Sequence, residues 1–212
     1  MNSHNSTVGT GLPSARRHWL QRVGGAALVP ALASSTLVNA APGPETAKGG
    51  PRANYFPNPV LTTQDGKKLR FYDDVVRGRT VVFNMMYSVC TGICPGNTVN
   101  LMQVQEALGD RLGKDVFMYS LTLQPEFDSP EALKDYVKRY SIKPGWTFLT
   151  GQPKDMEAIR RKLGFYNPDA TIDADLNSHT GMVRIGNEGL DRWLMMPALS
   201  SPRQIARAIL QL

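Results

Sequence analysis

Cysteine is almost missing from this sequence: 212 residues hold two, Cys90 and Cys94. Histidine is nearly as scarce, with His4, His18 and His179 the only three. Basic residues outnumber acidic ones, but no clustered basic face with interleaved aromatics occurs, so nothing argues for nucleic acid as a partner. The first 40 residues lack any acid and hold Arg16, Arg17 and Arg22, so half of the net charge of +6 sits in that segment and the +3 that remains is too mild to argue for a charged binding surface. No apolar run is long enough for a comfortable membrane span of roughly 20 residues. Internal repeats are absent. What remains is an ordinary globular composition, in a chain long enough for one well-buried domain and a short extra segment.

The extra segment is the first 40 residues. A polar start leads to ARRHWLQR, then to VGGAALVPALASSTLV, an apolar run broken by Pro30, and then to Val38-Asn39-Ala40, a small-x-small cleavage site. Arg16-Arg17 followed by an aromatic residue and Leu20 resembles a twin-arginine export signal, with Trp19 where Phe is usual. Residues 1–40 are therefore expected to be a cleaved leader and the protein to be periplasmic, with no stable membrane span after cleavage. Residues 41–54, rich in Pro, Gly and Ala, read as a flexible linker, and residues 55–212 as one domain. In that compartment a nearby cysteine pair is normally driven to a disulfide.

Within the domain, VLTTQDGKKLRFYDD predicts a hairpin turning at Asp65-Gly66. TVVFNMMY and DVFMYSLTL have the length and apolarity of buried strands, and WTFLTG is a short third one. A helix is expected from Pro95, with Val99, Met102, Val104, Leu108 and Leu112 as its apolar stripe. Ser129, Pro130 and Glu131 predict the start of a second helix, and Met156, Ile159 and Leu163 share one stripe of a third. HTGMVRIGNEGLDRWLMM reads as a late hairpin turning at Asn187-Glu188-Gly189, and a helix capped by Ser200 or Ser201 closes the chain. The order predicts an α/β fold of thioredoxin-like type: a central mixed sheet, helices on both faces, and a β-hairpin at each end of the domain.

Cys90 and Cys94 fall where the first buried strand turns into the first helix. Positions i and i+4 share a helical face, about 5–6 Å apart at Cβ, so one metal ion could take both sulfurs, or a small rearrangement could join them. Pro95 suits a first helical turn, which puts Cys94 at or beside the helix start, where the dipole favours thiolate. An inert structural disulfide would close so small a loop that it contributes only about 2 kcal/mol. Three uses stay open on these residues: a staple, a redox pair and a metal chelate. His179 is the one histidine beyond the leader and sits in an Asp/Asn-rich loop before the late hairpin. In this fold class that loop can lie beside the first strand-to-helix turn. Two thiolates and an imidazole suit copper first and zinc second. Met85, Met86, Met182, Met195 and Met196 are soft donors too, but strand alternation turns one of each pair inward, so core packing explains most of them.

VVFNMMYSVCTGICPGNTVNL, SLTLQPEFDSPEALKDYVKRYSI, WTFLTG and SHTGMVRIGNEG together resemble the Sco/SenC copper proteins, over about residues 55–212. The resemblance implies a thioredoxin-like domain with a copper site of Cys90, Cys94 and His179. It also implies a metallochaperone rather than an enzyme, which loads Cu(I) or Cu(II) into, or reduces the thiols of, a client such as a respiratory cytochrome oxidase or another periplasmic copper enzyme, with a thiol reductant as second partner. Two departures stand out. Ser178 precedes His179 where the family usually has Asp, and Leu123-Gln124-Pro125 replaces an Asp-Pro. Two other functions fit the same residues. One is a metal-independent thiol-disulfide oxidoreductase using Cys90 and Cys94; the other is a copper or redox sensor.

Overall fold

Continuous apolar sequence without alternation is the mark of a strand covered on both faces, and Thr80–Met86 becomes such a strand, β3. The computed structural model describes residues 49–179 and 181–212; the expected leader and residues 41–48 of the expected linker lie outside them. β3 lies beside β4 (Val116–Thr122), and β4 beside β5 (Trp146–Thr150), all parallel. The expected N-terminal hairpin, β1 (Val60–Thr63) and β2 (Lys68–Arg70), joins the β5 side antiparallel. The late hairpin, β6 (Met182–Asn187) and β7 (Arg192–Pro197), joins the β3 side antiparallel. The result is one seven-stranded mixed sheet ordered β2-β1-β5-β4-β3-β6-β7.

Helices cover both faces, as the thioredoxin-like reading requires. α1 (Cys94–Leu108), α2 (Pro130–Arg139) and α4 (Pro202–Leu210) pack on the face that carries Val82 and Met86. α3 (Pro153–Leu163) covers the opposite face, with Phe83 and Met85. Its buried Met156, Ile159 and Leu163 each contribute about 1.5–3 kcal/mol by leaving water. The caps form where the residue types predict them. Ser129 accepts from the Ala132 amide ahead of Pro130, and Ser201 closes a capping box with Gln204. Gly66 takes the left-handed backbone, φ 79°, that the first hairpin turn demands.

Three local expectations are corrected. FYDDVV does not prolong the first hairpin but winds into a single π-helical turn, Phe71–Val76, whose wide pitch buries Phe71, Tyr72, Val75 and Val76 together. The α1 stripe is Leu101, Val104 and Leu108; Val99 is half exposed, and Leu112 lies beyond the helix. Met85 and Met86 are both buried rather than one of the pair, because β3 is central and has a core on each face.

The turn between β6 and β7 holds a buried carboxylate, Glu188. It accepts hydrogen bonds from the Tyr72 hydroxyl (2.7 Å), the Gly78 amide (2.7 Å) and the Arg52 amide (3.1 Å). One side chain thereby ties the entry segment, the π-helical turn and the late hairpin together. Burial, and then the Glu188 carboxylate, hold the Tyr72 phenol well above its ordinary range. Glu188→Ala leaves three donors without an acceptor, and the free energy of unfolding in denaturant should fall by about 3 kcal/mol. A fall below about 1 kcal/mol would show that Glu188 is not the tie.

Candidate metal and thiol site

Parallel strands paired in register end at the same level, so the chains leaving them meet. Met86 ends β3 opposite Thr122 at the end of β4. The segment after β4 then returns a carboxylate: Asp128, fully buried, accepts from the Ser88 amide (3.2 Å to each oxygen) and from the hydroxyls of Ser88 and Thr122. Ser88 is thereby fixed between β3 and the cysteines. The Cys90 amide donates to the Tyr87 carbonyl at 3.2 Å and closes the next turn. Four residues after Cys90 the chain enters α1, with Ile93 at its N-cap, Cys94 its first residue and Pro95 in the first turn.

Neither cysteine is joined in a disulfide, and both are buried, Cys94 more completely than Cys90. They belong to the apolar cluster of the α1 face, with Met86, Leu101 and Ala198. Burial alone would raise the Cys90 pKa, but donors from the Cys94 thiol, the Tyr87 hydroxyl and the amides of Cys94 and Gly92 outweigh it, and the net direction is down. The helix start does favour thiolate, as the sequence predicts, but the sulfur its amide reaches is Cys90, whereas reasoning from Pro95 points to Cys94. The phenol responds in kind. Donation to the Cys90 sulfur first, then burial, then the negative charges of Cys90, Cys94 and Asp175 push Tyr87 up to about 12.

His179 ends a short 3-10 turn, Leu176–His179, and is also buried. Its neighbours are not the cysteines. The imidazole Nε2 lies 2.8 Å from the Asp173 carbonyl oxygen and 3.5 Å from its carboxylate, and Arg160 Nη1 lies 3.0 and 3.3 Å from the two ring nitrogens. Arg160 is buried in α3 and reaches Asp173 through two bonds of 2.9 Å and Glu157 through bonds of 2.7 and 2.8 Å. These bonds hold the Asp173 carboxyl far below the usual carboxylate range, against the effect of burial. Ser178 spends its hydroxyl on the Ile172 carbonyl, at 2.9 Å. With serine at the position where the resemblance leads one to expect an acid, the imidazole bonds instead to the backbone carbonyl of Asp173.

The structure therefore brings Cys90 and Cys94 together and seats His179 in a separate network. Among the described residues, no three His, Cys, Asp or Glu side chains are arranged to hold one metal ion. The two regions still adjoin: a Cβ built on Gly181 would lie 4.0 Å from Ile93 Cδ1, and Asp175 is close enough to act on Tyr87. Tyr87, Asp128, Arg160 and Asp173 went unnoticed in the sequence. Arg160 did carry a signal, since it shares the helical stripe of Met156 and Leu163, where a charge must find a partner.

Tyr87→Phe removes one donor from the Cys90 thiolate without removing the ring. The pH profile of Cys90 alkylation, resolved by mass spectrometry, should move to higher pH. An unmoved profile would rule out phenol donation.

Comparison with known proteins gives a consistent result. The family profile described as SCO1/SenC matches residues 51–212. The SCO1 protein homolog of Bacillus subtilis is 30% identical over 100 residues, covering 46% of this chain and 50% of that protein. The chain spans half or less of the length of the first curated relatives it matches. Among solved structures, the SCO1/SenC family lipoprotein of Bacillus anthracis superposes with a TM-score of 0.60 at 22% identity, covering 74% of this chain and 94% of that one. ScoI of Arabidopsis thaliana with copper bound gives 0.58 at 18% identity, covering 74% and 96%. At these identities the superpositions establish the shared fold.

Proposed function

The chain belongs to the SCO1/SenC family, and from that premise we propose that it is a copper-binding metallochaperone whose cargo is held by Cys90, Cys94 and His179. The observation that carries the reading is the paired thiols at the start of α1, with a thiolate favoured at Cys90 by four convergent donors. Thiolates are soft donors, an imidazole is borderline, and the set matches copper in either common oxidation state. The match to a fold also seen in a copper-bound Arabidopsis thaliana protein supports the same cargo. Binding needs both sulfurs reduced and displaces their protons, so loading is coupled to the thiol state and requires a thiol reductant.

The client is proposed to be a copper enzyme outside the cytoplasm, either a cytochrome oxidase or another periplasmic cuproenzyme. The twin-arginine-type leader at 1–40, the linker at 41–54 and the domain from 55 support that location. A metallochaperone transfers its ion without turning it over, so the proposal is for a binding protein rather than an enzyme.

A second reading draws on the same favoured thiolate. Cys90 could attack a partner's disulfide to give a mixed disulfide, which Cys94 resolves, leaving the partner reduced and the pair oxidised. One set of measurements separates the two. Anaerobic copper titration of the reduced protein should show one tight site per chain, weakened at least about tenfold, or 1.4 kcal/mol, in Cys90→Ser, Cys94→Ser and His179→Ala. With metal excluded, the wild type should reduce a model disulfide no faster than a free dithiol. Faster metal-free reduction together with weak copper binding would favour the oxidoreductase.

A further inference from the structure

His179 is not at rest beside the thiols, and the contacts that hold it elsewhere are specific. The Asp173 carbonyl oxygen can only accept, so the hydrogen sits on Nε2 and donates to it across 2.8 Å. That leaves Nδ1 as the ring's acceptor, while Arg160 Nη1 packs against the ring 3.0 Å from Nε2 and 3.3 Å from Nδ1, and Ser178 Oγ 3.3 and 3.4 Å from the same two atoms. The ring borders a cavity of about 210 Å³ shared with Met85, Met156, Arg160, Asp173 and Leu176. Met85 faces the α3 side of β3, whereas Cys90 and Cys94 pack with Met86 on the α1 side. The imidazole therefore lies over the opposite face of the sheet edge from the sulfurs.

The loop carrying His179 is itself fastened to α3. Arg160 donates to the Phe165 carbonyl at 2.8 Å and grips the Asp173 carboxylate with two bonds of 2.9 Å. Asp173 also accepts the Asn167 amide at 2.7 Å and an Arg161 bond at 2.8 Å. Every one of these contacts lies on the approach to His179, and none involves Cys90 or Cys94.

We propose that Arg160 and Asp173 form a latch that stores His179 away from the thiols, and that releasing this latch is the step that admits the imidazole to copper. The inference rests on the three-ligand reading above and adds two positioning residues to it. Copper first meets the cysteine pair; the loop then exchanges its Arg160 and Asp173 contacts for a bond from His179 Nδ1. The stored position keeps the third ligand off the thiols until an ion is there to compete for it, so the empty pair stays open to a reductant. Arg160 and Asp173 touch no cargo in this scheme and act only through His179.

Replacing one member of a buried pair strands the other charge, so the test uses Arg160→Met with Asp173→Asn in one full-length chain. Arg160→Lys, which keeps the charge but not the planar fork, serves as the second variant. Cu(II) uptake by the reduced protein is followed by stopped-flow absorbance, and the nitrogen hyperfine pattern of the bound ion by electron paramagnetic resonance. The latch predicts that the slow uptake phase accelerates about tenfold in the double variant and by a smaller factor in Arg160→Lys. Both variants should end with the wild-type nitrogen pattern, and His179→Ala should lack it. A merely structural pair would alter thermal stability without touching the slow phase. Unchanged uptake in folded variants, with His179→Ala still losing nitrogen and affinity, overturns the latch and leaves the copper site standing. A His179→Ala protein identical to wild type in spectrum and affinity overturns the three-ligand site and the latch with it.

Discussion

The site depends on one buried carboxylate. β3 and β4 deliver their chain ends to the same edge of the sheet, but parallel pairing stops at Met86 and Thr122. Asp128 carries the connection beyond that point by accepting from Ser88 and Thr122 together. With Ser88 held, Tyr87 and Cys90 fall on either side of a tight turn, and the phenol can reach the sulfur. α1 begins four residues after Cys90 and presents its free amides there. The reactivity of Cys90 thus follows from where the strands end and what joins them, more than from the spacing of the two cysteines.

The same economy governs the second half of the site. α3 buries an arginine on its apolar stripe, which would be prohibitive without partners, and the partners it takes are Glu157 on its own helix and Asp173 in the loop beyond. That pairing folds the loop after α3 back onto the helix and carries His179 with it. The backbone carbonyl of Asp173 then accepts from the imidazole. Two carboxylates, Asp128 and Asp173, each fix one arm of the proposed copper site.

Much of this architecture could be read from residue order. The buried strands, the Ser129-Pro130 helix start, the Asp65-Gly66 turn and the late hairpin each rest on local chemistry, and each forms where that chemistry points. Local rules failed where the outcome hangs on partners distant in sequence. Alternation implied that one of Met85 and Met86 would face outward, which holds only for a strand with a single covered face. FYDDVV winds into a π-helical turn and buries Phe71, Tyr72, Val75 and Val76 in the core they share with Leu61 of β1, a contact set by packing rather than by local pattern. At the site, the cysteines declared themselves through scarcity and position. Asp128 was hidden inside a helix-start pattern, and nothing local in RRKL separates the buried Arg160 from its exposed neighbour Arg161 except the helical stripe. The seat of His179 could not be read at all, since it depends on which acid in a loop of several meets that arginine.

The account stands or falls on whether Cys90, Cys94 and His179, seen here in two networks, become one coordination shell. X-ray absorption at the copper edge of the reduced, copper-loaded protein measures that shell directly. It should show two sulfur neighbours and one imidazole nitrogen, with the nitrogen lost in His179→Ala. A sulfur shell without imidazole in the wild-type protein, or a shell of nitrogen and oxygen alone, would contradict it.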